Sequence, residues 1–500
     1  MKLLLVFLNN EYRPMVPLNL SCLEGYVKKH GHEVKVFDTS FYADILNLSN
    51  IEKNVQSGSY FSVDYSKYGV HVIERSMRND FLSMVDDYRP DLIGLGVYSY
   101  TEKYADDLAR AAKERFHDIP ILYGGIHCTT RPDKNIAKDW VDILCVGEGE
   151  IALLEVCDAI EEGRNDLGKI KNIWIKRDGK VQKMPMRALI DPNSIPTPDW
   201  SGYKPYHYYG PIEGKIYKLA LTEFGRGCPN SCSFCEGVLV KELCLKSKIG
   251  RYVRHKTPKK FVTDCVKLID SYGIEFFYIV DGTFLTMNDS VLEELAHLWS
   301  LRVKRPFLCL TTARSITDKR ARLLKEMGCF QVNIGIESGS EKIRKETYNK
   351  PHVSNERMVN AFRAIRKHKI RTSSFSMMGL PWENRADVFE TIELNRKCKP
   401  TRTNMSIYIP FGGTRLTEQM REMGYITDNT VIGDETSSTV KLVGDMTREE
   451  LEGLHRTFNL YCKVPKKMFP LLNACEKDNE TSRFVLKHMK RIYMPREKNN

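Results

Sequence analysis

Short apolar runs alternate with amphipathic segments along the first third of the chain. The runs predict buried strands, and they read "KLLLVFL", "EVKVFD", "DLIGLGVYS", "IPILYGG" and "DILCVGEGE". Between them, apolar residues spaced three and four positions apart predict helices, as in "LSCLEGYVKKHG", "YADDLARAAKERF" and "IALLEVCDAIEEG". Gly31 is a candidate C-cap for the first of these helices. Strands that alternate with helices indicate an α/β domain with a parallel, Rossmann-like sheet covered on both faces, over residues 1–160.

The pattern changes at residue 161 and resumes near residue 216. Residues 161–215 are rich in Pro, Asp and Lys and predict a linker, with one hairpin at "IWIKRDGKVQKM". Residues 216–415 contain six predicted strands separated by helices: "YKLALTEF", "EFFYIVD", "FLCLTTA", "FQVNIGIE", "RTSSFSMMG" and "TNMSIYIP". This pattern predicts a partial (β/α)6 barrel, which places its chemistry at the C-terminal ends of the strands. The last region, 416–500, is predicted to be a helical extension.

Composition narrows the class of protein. The chain is 42% hydrophobic and 28% charged, as globular proteins are, and it has no apolar run approaching the roughly 18 residues of a transmembrane helix. The opening "MKLLLVFLNN" is too short for a signal peptide and predicts a first strand, so we expect a cytoplasmic protein. There the 14 cysteines would stay reduced and able to hold metal. The net charge of +12 is spread along the chain and predicts a solvated surface, with no nucleic-acid partner.

The segment "RGCPNSCSFCEG" places three cysteines within eight positions. They are Cys228, Cys232 and Cys235. Three interpretations are open: three buried cysteines close by accident, a zinc site, or an iron–sulfur cluster. Structural zinc requires four ligands, and Cys244 is the candidate for the fourth.

An iron–sulfur cluster explains why only three cysteines lie together. Thiolates hold such clusters with one cysteine for each iron. A four-iron cluster with three cysteines keeps one iron open, and an open coordination position is where a substrate or cosubstrate binds. The three cysteines also follow the first predicted barrel strand, where the fold places its chemistry.

The CxxxCxxC spacing, with Phe234 before the last cysteine, resembles the signature of radical S-adenosylmethionine (SAM) enzymes. The resemblance covers residues 216–415 and includes "VDGTF", "NIGIESGSEKIRK" and "MMGLPWEN", at the ends of the second, fourth and fifth predicted strands. It implies a [4Fe-4S] cluster whose open iron is chelated by SAM. An electron from the reduced cluster would then cleave SAM to methionine and a 5′-deoxyadenosyl radical. It further implies a SAM site that includes Phe234, Asp281, Arg314, Glu337, Gly379 and Pro381. The alternative for the last five is that they form strand-end turns and surface salt bridges.

The first domain resembles the cobalamin-binding domain often fused to radical SAM enzymes. The similarity rests on "GLGVYSYT", "ILYGGIHCTTRPD" and "VGEGE", each after a predicted strand, where open α/β sheets bind ligands. It implies cobalamin contacts at Ser99, Tyr100, Thr101, Gly124, Gly125 and Gly147. In Gly124 and Gly125 the missing side chain would let the backbone approach the cofactor.

One motif of cobalamin proteins is missing. The loop after the first strand reads "NNEYRPMVPLNLS" and lacks the DxHxxG sequence that supplies a histidine to cobalt. We therefore expect cobalamin to bind without that ligand, the alternative being a domain that holds no cobalamin. His127, in the Gly-Gly loop, is either a cobalamin contact or a structural residue.

Together the two resemblances imply a cobalamin-dependent radical SAM methyltransferase that acts on an unactivated carbon. The implied partners are a small-molecule or natural-product substrate and an electron donor such as flavodoxin or ferredoxin. One alternative is a radical SAM enzyme that performs cyclisation or oxidation, with or without cobalamin. Another is a cobalamin or redox sensor, although a sensor does not need the strand-end motifs that would contact adenosine.

Overall fold

The computed structural model of the chain describes residues 1–59, 63–164, 166–177, 179–350, 353–427, 430, 436–440 and 442–494. The chain forms two compact units. The first contains Met1–Asn47, Asp64–Cys228 and Glu236–Asp281, and the second contains Leu48–Val63, Pro229–Cys235 and Gly282–Asn500. The domain limits that the sequence predicts, at residues 160, 215 and 415, stay a prediction.

A seven-stranded sheet organises the N-terminal part of the first unit. Its strands are β1 (Lys2–Phe7), β2 (Glu33–Asp38), β3 (Leu92–Gly96), β4 (Ile121–Gly124), β5 (Ile143–Cys145), β6 (Ile173–Arg177) and β7 (Lys180–Lys183). Their order is β2-β1-β3-β4-β5-β6-β7, and β1 to β5 are parallel. Leu3 and Leu5 of β1 pack into one core cluster, whereas Leu4 and Val6 pack into another. Both faces of the sheet are therefore covered, as the continuous apolar runs predict.

The described residues before position 165 include seven α-helices. They are α1 (Leu18–Lys28), α2 (Leu48–Ser57), α3 (Met77–Tyr88), α4 (Glu102–Arg115), α5 (Ile126–Thr130), α6 (Pro132–Ile136) and α7 (Glu150–Glu161), of which α2 belongs to the second unit. The predicted C-cap at Gly31 is wrong, because α1 ends at Lys28 and its C-cap is Lys29. Gly31, with φ +96°, turns the chain two residues later.

The predicted hairpin is present, and it extends the first sheet. β6 pairs antiparallel with β7, and β6 also pairs antiparallel with β5. Asp178 lies outside the described residues. A hairpin pattern fixes the pairing of its own two strands but not the sheet to which they add.

The first unit also contains the start of the second α/β region. Its elements are β8 (Tyr209–Ile212), β9 (Lys215–Thr222), β10 (Gly225–Arg226), α8 (Glu236–Lys246), β11 (Arg254–His255), α9 (Pro258–Tyr272) and β12 (Phe276–Ile279). β12 and β9 are parallel, and β8 is an antiparallel strand that the sequence analysis did not predict. β9 and β12 are the first two predicted barrel strands.

The second unit contains the other four predicted barrel strands and their helices. In chain order they are α10 (Asp289–Leu298), β13 (Phe307–Thr311), α11 (Asp318–Glu326), β14 (Cys329–Glu337), α12 (Asn355–Lys367), β15 (Arg371–Met378), α13 (Arg385–Cys398) and β16 (Arg402–Ile407). The strands are parallel, in the order β16-β15-β14-β13. All six strands of the barrel prediction are thus present. Each is followed by a helix, the arrangement that brings strand ends to one edge.

Helices are the main regular elements among the described residues of the C-terminal region. The elements are α14 (Arg415–Glu422), β17 (Leu442–Val443), β18 (Met446–Thr447), α15 (Arg448–Tyr461), α16 (Phe469–Ala474) and α17 (Glu480–Tyr493). Their apolar residues pack in one cluster with the ends of β15 and β16. Among the described residues, no helix combines the length and the apolar character needed to cross a membrane.

Candidate functional site

The cysteine triad lies on the segment between β10 and α8, six residues after β9 ends at Thr222. Eleven of the fourteen cysteines are buried, whereas Cys228 and Cys232 are partly exposed and Cys235 is exposed. Buried thiols are inert, and a thiol that binds metal must be accessible. The three cysteines that the spacing singled out are therefore the three that the fold keeps accessible, which excludes their being buried by accident.

The part of this loop within the second unit is fixed by contacts to the segment after β14. The Ser233 amide donates to the Tyr348 carbonyl (2.9 Å), and the Asn349 side chain donates to the Ser231 carbonyl (2.9 Å). The Phe234 ring packs edge-on against the Tyr348 ring, with 5.3 Å between the centroids. Phe234, predicted to contact SAM, therefore also has a packing role.

The donor set fits an iron–sulfur cluster better than a single metal ion. In the described part of the chain, no three His, Cys, Asp or Glu side chains are grouped so that they could hold one metal ion. A cubane cluster places each thiolate on a different iron, so its cysteines stand further apart than the ligands of one zinc. Cys244, the candidate fourth zinc ligand, is buried on α8, and burial raises the pKa of its thiol.

Glu337 is the last residue of β14 and has an unusual backbone. Its φ is +63°, in the left-handed region that non-glycine residues rarely adopt. Its carboxylate forms an ion pair with Lys350, at 2.5 Å, and both side chains are mostly buried. Backbone strain of this kind concentrates at functional sites. Lys350 was not predicted, and only its position after the "IESGS" motif links it to the site.

A cavity lies at the ends of β13 and β14 in the second unit. Its lining includes Asn230 of the cysteine loop, Arg314 after β13, Gly335 on β14, and Lys350. The structure thus brings Arg314 to the same cavity as the ion-pair partner of Glu337 and a residue between the first two cysteines. Three cationic side chains, Arg314, Arg344 and Lys350, together with the Asn230 amide, suit a ligand that carries a carboxylate.

The predicted residues after β15 form a tight turn. Gly379 has φ +102°, and a Cβ there would lie 3.1 Å from Ile407, so the fold itself requires glycine. Pro381 is buried, and its carbonyl accepts a hydrogen bond from the Gly444 amide at 2.6 Å.

Glu383, in the motif "MMGLPWEN", was not predicted as a site residue. This residue is fully buried and accepts a hydrogen bond from the Gly379 amide at 2.6 Å. Burial raises its pKa to about 8, although the hydrogen bonds from Gly379 and Leu380 act in the opposite direction. The buried Glu383 carboxylate therefore fixes the backbone of this turn through these amides.

Asp281, two residues after β12, accepts hydrogen bonds from the backbone of the first unit. Its two carboxylate oxygens accept hydrogen bonds from the amides of Phe224 and Gly225, each at 2.8 Å. The side chain is buried, and burial raises the pKa of its carboxyl well above the usual range. In this structure Asp281 joins the end of β12 to the segment that leads into the cysteine loop.

The three loops predicted to contact cobalamin meet at one edge of the first sheet, because β3, β4 and β5 are neighbouring parallel strands. Hydrogen bonds connect the loops. The Val97 amide donates to the Gly124 carbonyl (2.8 Å), and the Gly147 amide donates to the Thr129 hydroxyl (3.0 Å). Crevices at this edge are where open α/β sheets bind ligands.

Ser99, Tyr100 and Thr101 differ in what they offer to a ligand. The Tyr100 ring is 54% exposed and stacks on Tyr98, with 5.5 Å between the centroids. Ser99 is partly exposed, and its hydroxyl lies within hydrogen-bond distance of His127 and Glu236. Thr101 is fully buried, and its hydroxyl bonds the backbone of Tyr98. An exposed aromatic surface beside glycine-rich backbone fits a large, flat macrocycle.

The glycines at this edge have different requirements. A Cβ on Gly125 would lie 2.9 Å from the Val97 carbonyl oxygen, and its φ is +101°, so the fold needs glycine there. Gly147 also favours glycine, but through its φ of +100°, because the atom nearest its Cβ position is the end of the flexible Met186 side chain. Gly124 has no such restriction, because a Cβ there would make ordinary contacts at 3.7 Å or more. Of these three glycines, only Gly124 has a Cβ position that the protein leaves open, so only there would a bound ligand decide whether a side chain fits.

Two family models match the chain. The B12 binding domain matches residues 6–157, and the radical SAM superfamily matches residues 222–394. The first match covers β1 to β5 and their loops. The second runs from the end of β9 into α13 and includes the cysteine triad.

Curated relatives include proteins with different named activities. An uncharacterised methyltransferase of Pyrococcus horikoshii is 28% identical over 347 residues, 68% of this chain and 71% of that protein. An anaerobic magnesium-protoporphyrin IX monomethyl ester cyclase of Rubrivivax gelatinosus is 26% identical over 353 residues, 68% of this chain and 60% of the cyclase.

A solved structure matches nearly the whole chain. The radical SAM methyltransferase TsrM from Kitasatospora setae, solved with cobalamin and a [4Fe-4S] cluster bound, aligns with a TM-score of 0.64 at 17% identity. The alignment covers 93% of this chain and 86% of that one. At this identity the likeness establishes the fold, which confirms the predicted α/β architecture of a cobalamin-binding domain followed by a radical SAM domain. Through its two family matches, the chain is a radical SAM enzyme that carries an N-terminal B12 binding domain.

Proposed function

We propose that this protein is a cobalamin-dependent radical SAM methyltransferase that acts on an unactivated carbon of a small molecule. The observation that carries the proposal is the cysteine triad. Its three thiols are the accessible ones, and its loop shares a cavity with strand-end cations. The B12 binding domain supplies the second requirement of the chemistry.

Cys228, Cys232 and Cys235 would each ligate one iron of a [4Fe-4S] cluster. Contacts to Tyr348 hold Ser233 and Phe234, the two residues between Cys232 and Cys235. The fourth iron has no cysteine ligand within this loop, and Cys244 is buried. One coordination position would therefore stay open for SAM.

Glu337, Arg314 and Lys350 would bind the polar groups of SAM. The Glu337 carboxylate is the acceptor for the amino or ribose hydroxyl groups, and the two cations are donors for the carboxylate. In the chain as it stands, Lys350 neutralises Glu337. Gly379 and Pro381 would form the wall against the adenosine, held in shape by Glu383. Phe234 and Asp281 would support this site.

Ser99, Tyr100, Thr101, Gly124, Gly125 and Gly147 would form the cobalamin site. Tyr100 offers an exposed ring, Ser99 a hydroxyl, and the glycines a backbone without side chains. When bound, the cluster supplies an electron to SAM, and cobalamin supplies the methyl group. The chain's task is to orient both and to exclude water.

The proposal includes three further elements. An electron donor such as flavodoxin or ferredoxin would reduce the cluster. The substrate would be a small molecule or natural product, and the protein would act in the cytoplasm.

Anaerobic reconstitution with iron, sulfide and hydroxocobalamin tests the cofactor content. The proposal predicts about four irons per chain and one cobalamin. SAM with a deuterated methyl group, added with a reductant and an extract of the source cells, should then transfer its label to a small molecule. Labelled products that are absent when Cys228, Cys232 and Cys235 are all replaced by alanine would support methyl transfer.

The cyclase relative favours a second candidate. A radical SAM cyclase or oxidase would change the mass of a small molecule without adding the labelled methyl group. A product that forms in the extract without the label would therefore replace the methyltransferase proposal. A cobalamin or redox sensor would form no product under either condition.

A further inference from the structure

A hydrogen-bonded cluster lies behind the predicted cobalamin edge, within the first unit. The Ser99 Oγ atom lies 3.0 Å from His127 Nδ1 and 3.1 Å from Glu236 Oε1. Ser99 is in the loop after β3, His127 is in α5, and Glu236 is the first residue of α8. Glu236 directly follows Cys235 in the chain. One hydroxyl thus connects the cobalamin edge to the residue after the cysteine triad.

His127 is fully buried, and charged groups face it on two sides. Its Nε2 atom lies 3.3 Å from Glu102 Oε2, an ion-pair distance at which no aligned hydrogen bond forms. Lys134 and Lys138 also contact the Glu102 carboxylate, at 3.1 and 2.8 Å. On the other side, the Arg131 Nη1 atom lies 3.5 Å from Nδ1.

These neighbours favour one position for the hydrogen of the neutral imidazole. Burial raises the pKa of the Glu102 carboxyl, but the neighbouring His127 and Lys138 side chains outweigh this effect and hold the pKa below its usual range. Glu102 is therefore a carboxylate, and it favours a hydrogen on the Nε2 atom that faces it. In the neutral ring Nδ1 is then an acceptor, because neutral imidazole carries only one hydrogen.

Ser99 has one hydroxyl hydrogen and two neighbouring acceptors. If the ring is neutral, the Ser99 hydroxyl donates to Nδ1, and the lone pairs of the Ser99 oxygen point away from the ring. If the ring carries both hydrogens, Nδ1–H donates to Ser99, whose own hydrogen then goes to Glu236. The state of His127 therefore sets the direction of the Ser99 hydroxyl.

We propose that Glu102 and His127 are positioning residues that orient the Ser99 hydroxyl for cobalamin. The proposal rests on the proposed function, because it requires cobalamin at this edge. His127 does not ligate cobalt in this arrangement: it is fully buried, and Nδ1 is engaged with Ser99. The "GGIH" motif is thus explained by a buried contact behind the site.

Affinity for hydroxocobalamin, measured by visible absorbance on the anaerobically reconstituted full chain, tests the proposal. Ser99→Ala should weaken binding about tenfold, because one oriented hydrogen bond contributes on the order of 1.4 kcal/mol, or a factor of ten. His127→Leu should weaken it by a similar factor. The double variant should lose little more than either single variant, because both substitutions remove the same oriented hydroxyl.

Two isosteric variants separate positioning from general packing. His127→Asn keeps a polar atom where Nδ1 lies and should bind cobalamin within about threefold of the wild type. His127→Gln keeps a polar atom nearer Nε2 and should lose about tenfold. Thr130→Ala is the matched control on the same helix, because the Thr130 hydroxyl bonds only the backbone of α5. The Thr130 variant should bind as the wild type does.

The outcomes separate the proposed function from the positioning role of Glu102 and His127. Wild type that takes up no cobalamin overturns the proposed function, and the positioning role with it. Wild type that binds, with additive losses in the double variant or equal affinities for the Asn and Gln variants, overturns the positioning role alone. If His127→Leu does not fold, the comparison of Asn with Gln decides, with far-ultraviolet circular dichroism as the folding control.

Discussion

Lys350 Nζ lies 2.5 Å from Glu337 Oε1, at the end of a strand whose last residue has a left-handed backbone. A buried ion pair is costly to break, because removing one partner leaves the other as an unpaired buried charge. Lys350 lines the cavity that includes Asn230 of the cysteine loop, where SAM is predicted to bind. We interpret the pair as a SAM site in which the lysine neutralises the carboxylate until the ligand arrives.

Glu337→Gln should therefore weaken SAM binding about tenfold or more without changing the iron content. The reason is that hydrogen bonds to a charged group contribute about 1.5–3 kcal/mol, more than those to a neutral amide. Equilibrium dialysis of SAM against the reconstituted, unreduced protein is the measurement. Glu341→Gln is the matched control, because it makes the same change at an exposed position on the same segment. Equal affinities in the two variants would remove Glu337 from the site.

Replacing single cysteines distinguishes the cluster from a zinc site. Alanine at Cys228, Cys232 or Cys235 should abolish or strongly reduce bound iron and sulfide after anaerobic reconstitution. Cys244→Ala should retain the wild-type iron content, because this buried thiol, whose pKa burial raises, is not a ligand. Loss of the cluster in the Cys244 variant, or zinc filling the wild-type site, would restore the four-thiolate interpretation.

The cysteine spacing and the strand pattern predicted the barrel strands and the triad because both signals are local. An apolar run needs only its own residues to predict a buried strand. The Glu337–Lys350 pair was not predictable in this way: thirteen residues separate its partners, and nothing in a charge pattern tells a buried ion pair from two solvated side chains. Glu383 is similar, since its role depends on amide groups that a turn directs at it.

Gly125→Val should lower the melting temperature of the protein. The glycine motif alone predicts a loss of cobalamin binding instead. The new Cβ would meet the Val97 carbonyl at 2.9 Å, in a backbone with φ +101°. Strain of this kind costs about 1–3 kcal/mol, and thermal unfolding measures it. Gly31→Ala, with φ +96° and no neighbour within 4 Å, isolates the backbone strain from the clash.

Gly124 is the better probe of the cofactor. Gly124→Ala should keep the wild-type melting temperature, because its Cβ would make only ordinary contacts. Any loss of cobalamin affinity in this variant then reports on the ligand. A Gly125→Val protein that melts like the wild type would show that this glycine is not required by the fold.

Glu383 should make stability depend on pH. Burial raises its pKa from 4.5 to about 8, so the folded state binds a proton that the unfolded state releases between these values. The free energy of unfolding should therefore fall as pH rises from about 4.5 to 8, and this contribution should be constant above and below that window. Glu383→Gln should flatten the dependence, because glutamine resembles the protonated acid.

Thermal unfolding of the cluster-free protein across this window is the measurement for Glu383. The exposed Glu422→Gln at the end of α14 is the matched control and should follow the wild-type curve. A Glu383→Gln protein with the same slope as the wild type would place the Glu383 pKa near its ordinary value.

The hairpin that joins the first sheet shows where sequence reasoning stops. Its two strands were predicted from alternation and turn residues, but the pairing of β6 with β5 is a long-range choice. Gly125 and Gly124 show the same limit at a site: the motif "GG" is symmetrical in sequence, whereas one Cβ position is blocked by Val97 and the other is open. Three-dimensional neighbours decide which glycine serves the fold and which serves a ligand.

The central claim is that three cysteines hold a cluster that cleaves SAM. Its most direct test is the release of 5′-deoxyadenosine, measured by mass spectrometry after anaerobic reconstitution, addition of SAM and chemical reduction. We expect 5′-deoxyadenosine and methionine from the wild type and from Cys244→Ala, and neither from the variant with alanine at Cys228, Cys232 and Cys235. A fully loaded wild-type protein that leaves SAM intact, or a triple variant that still cleaves it, would contradict the account.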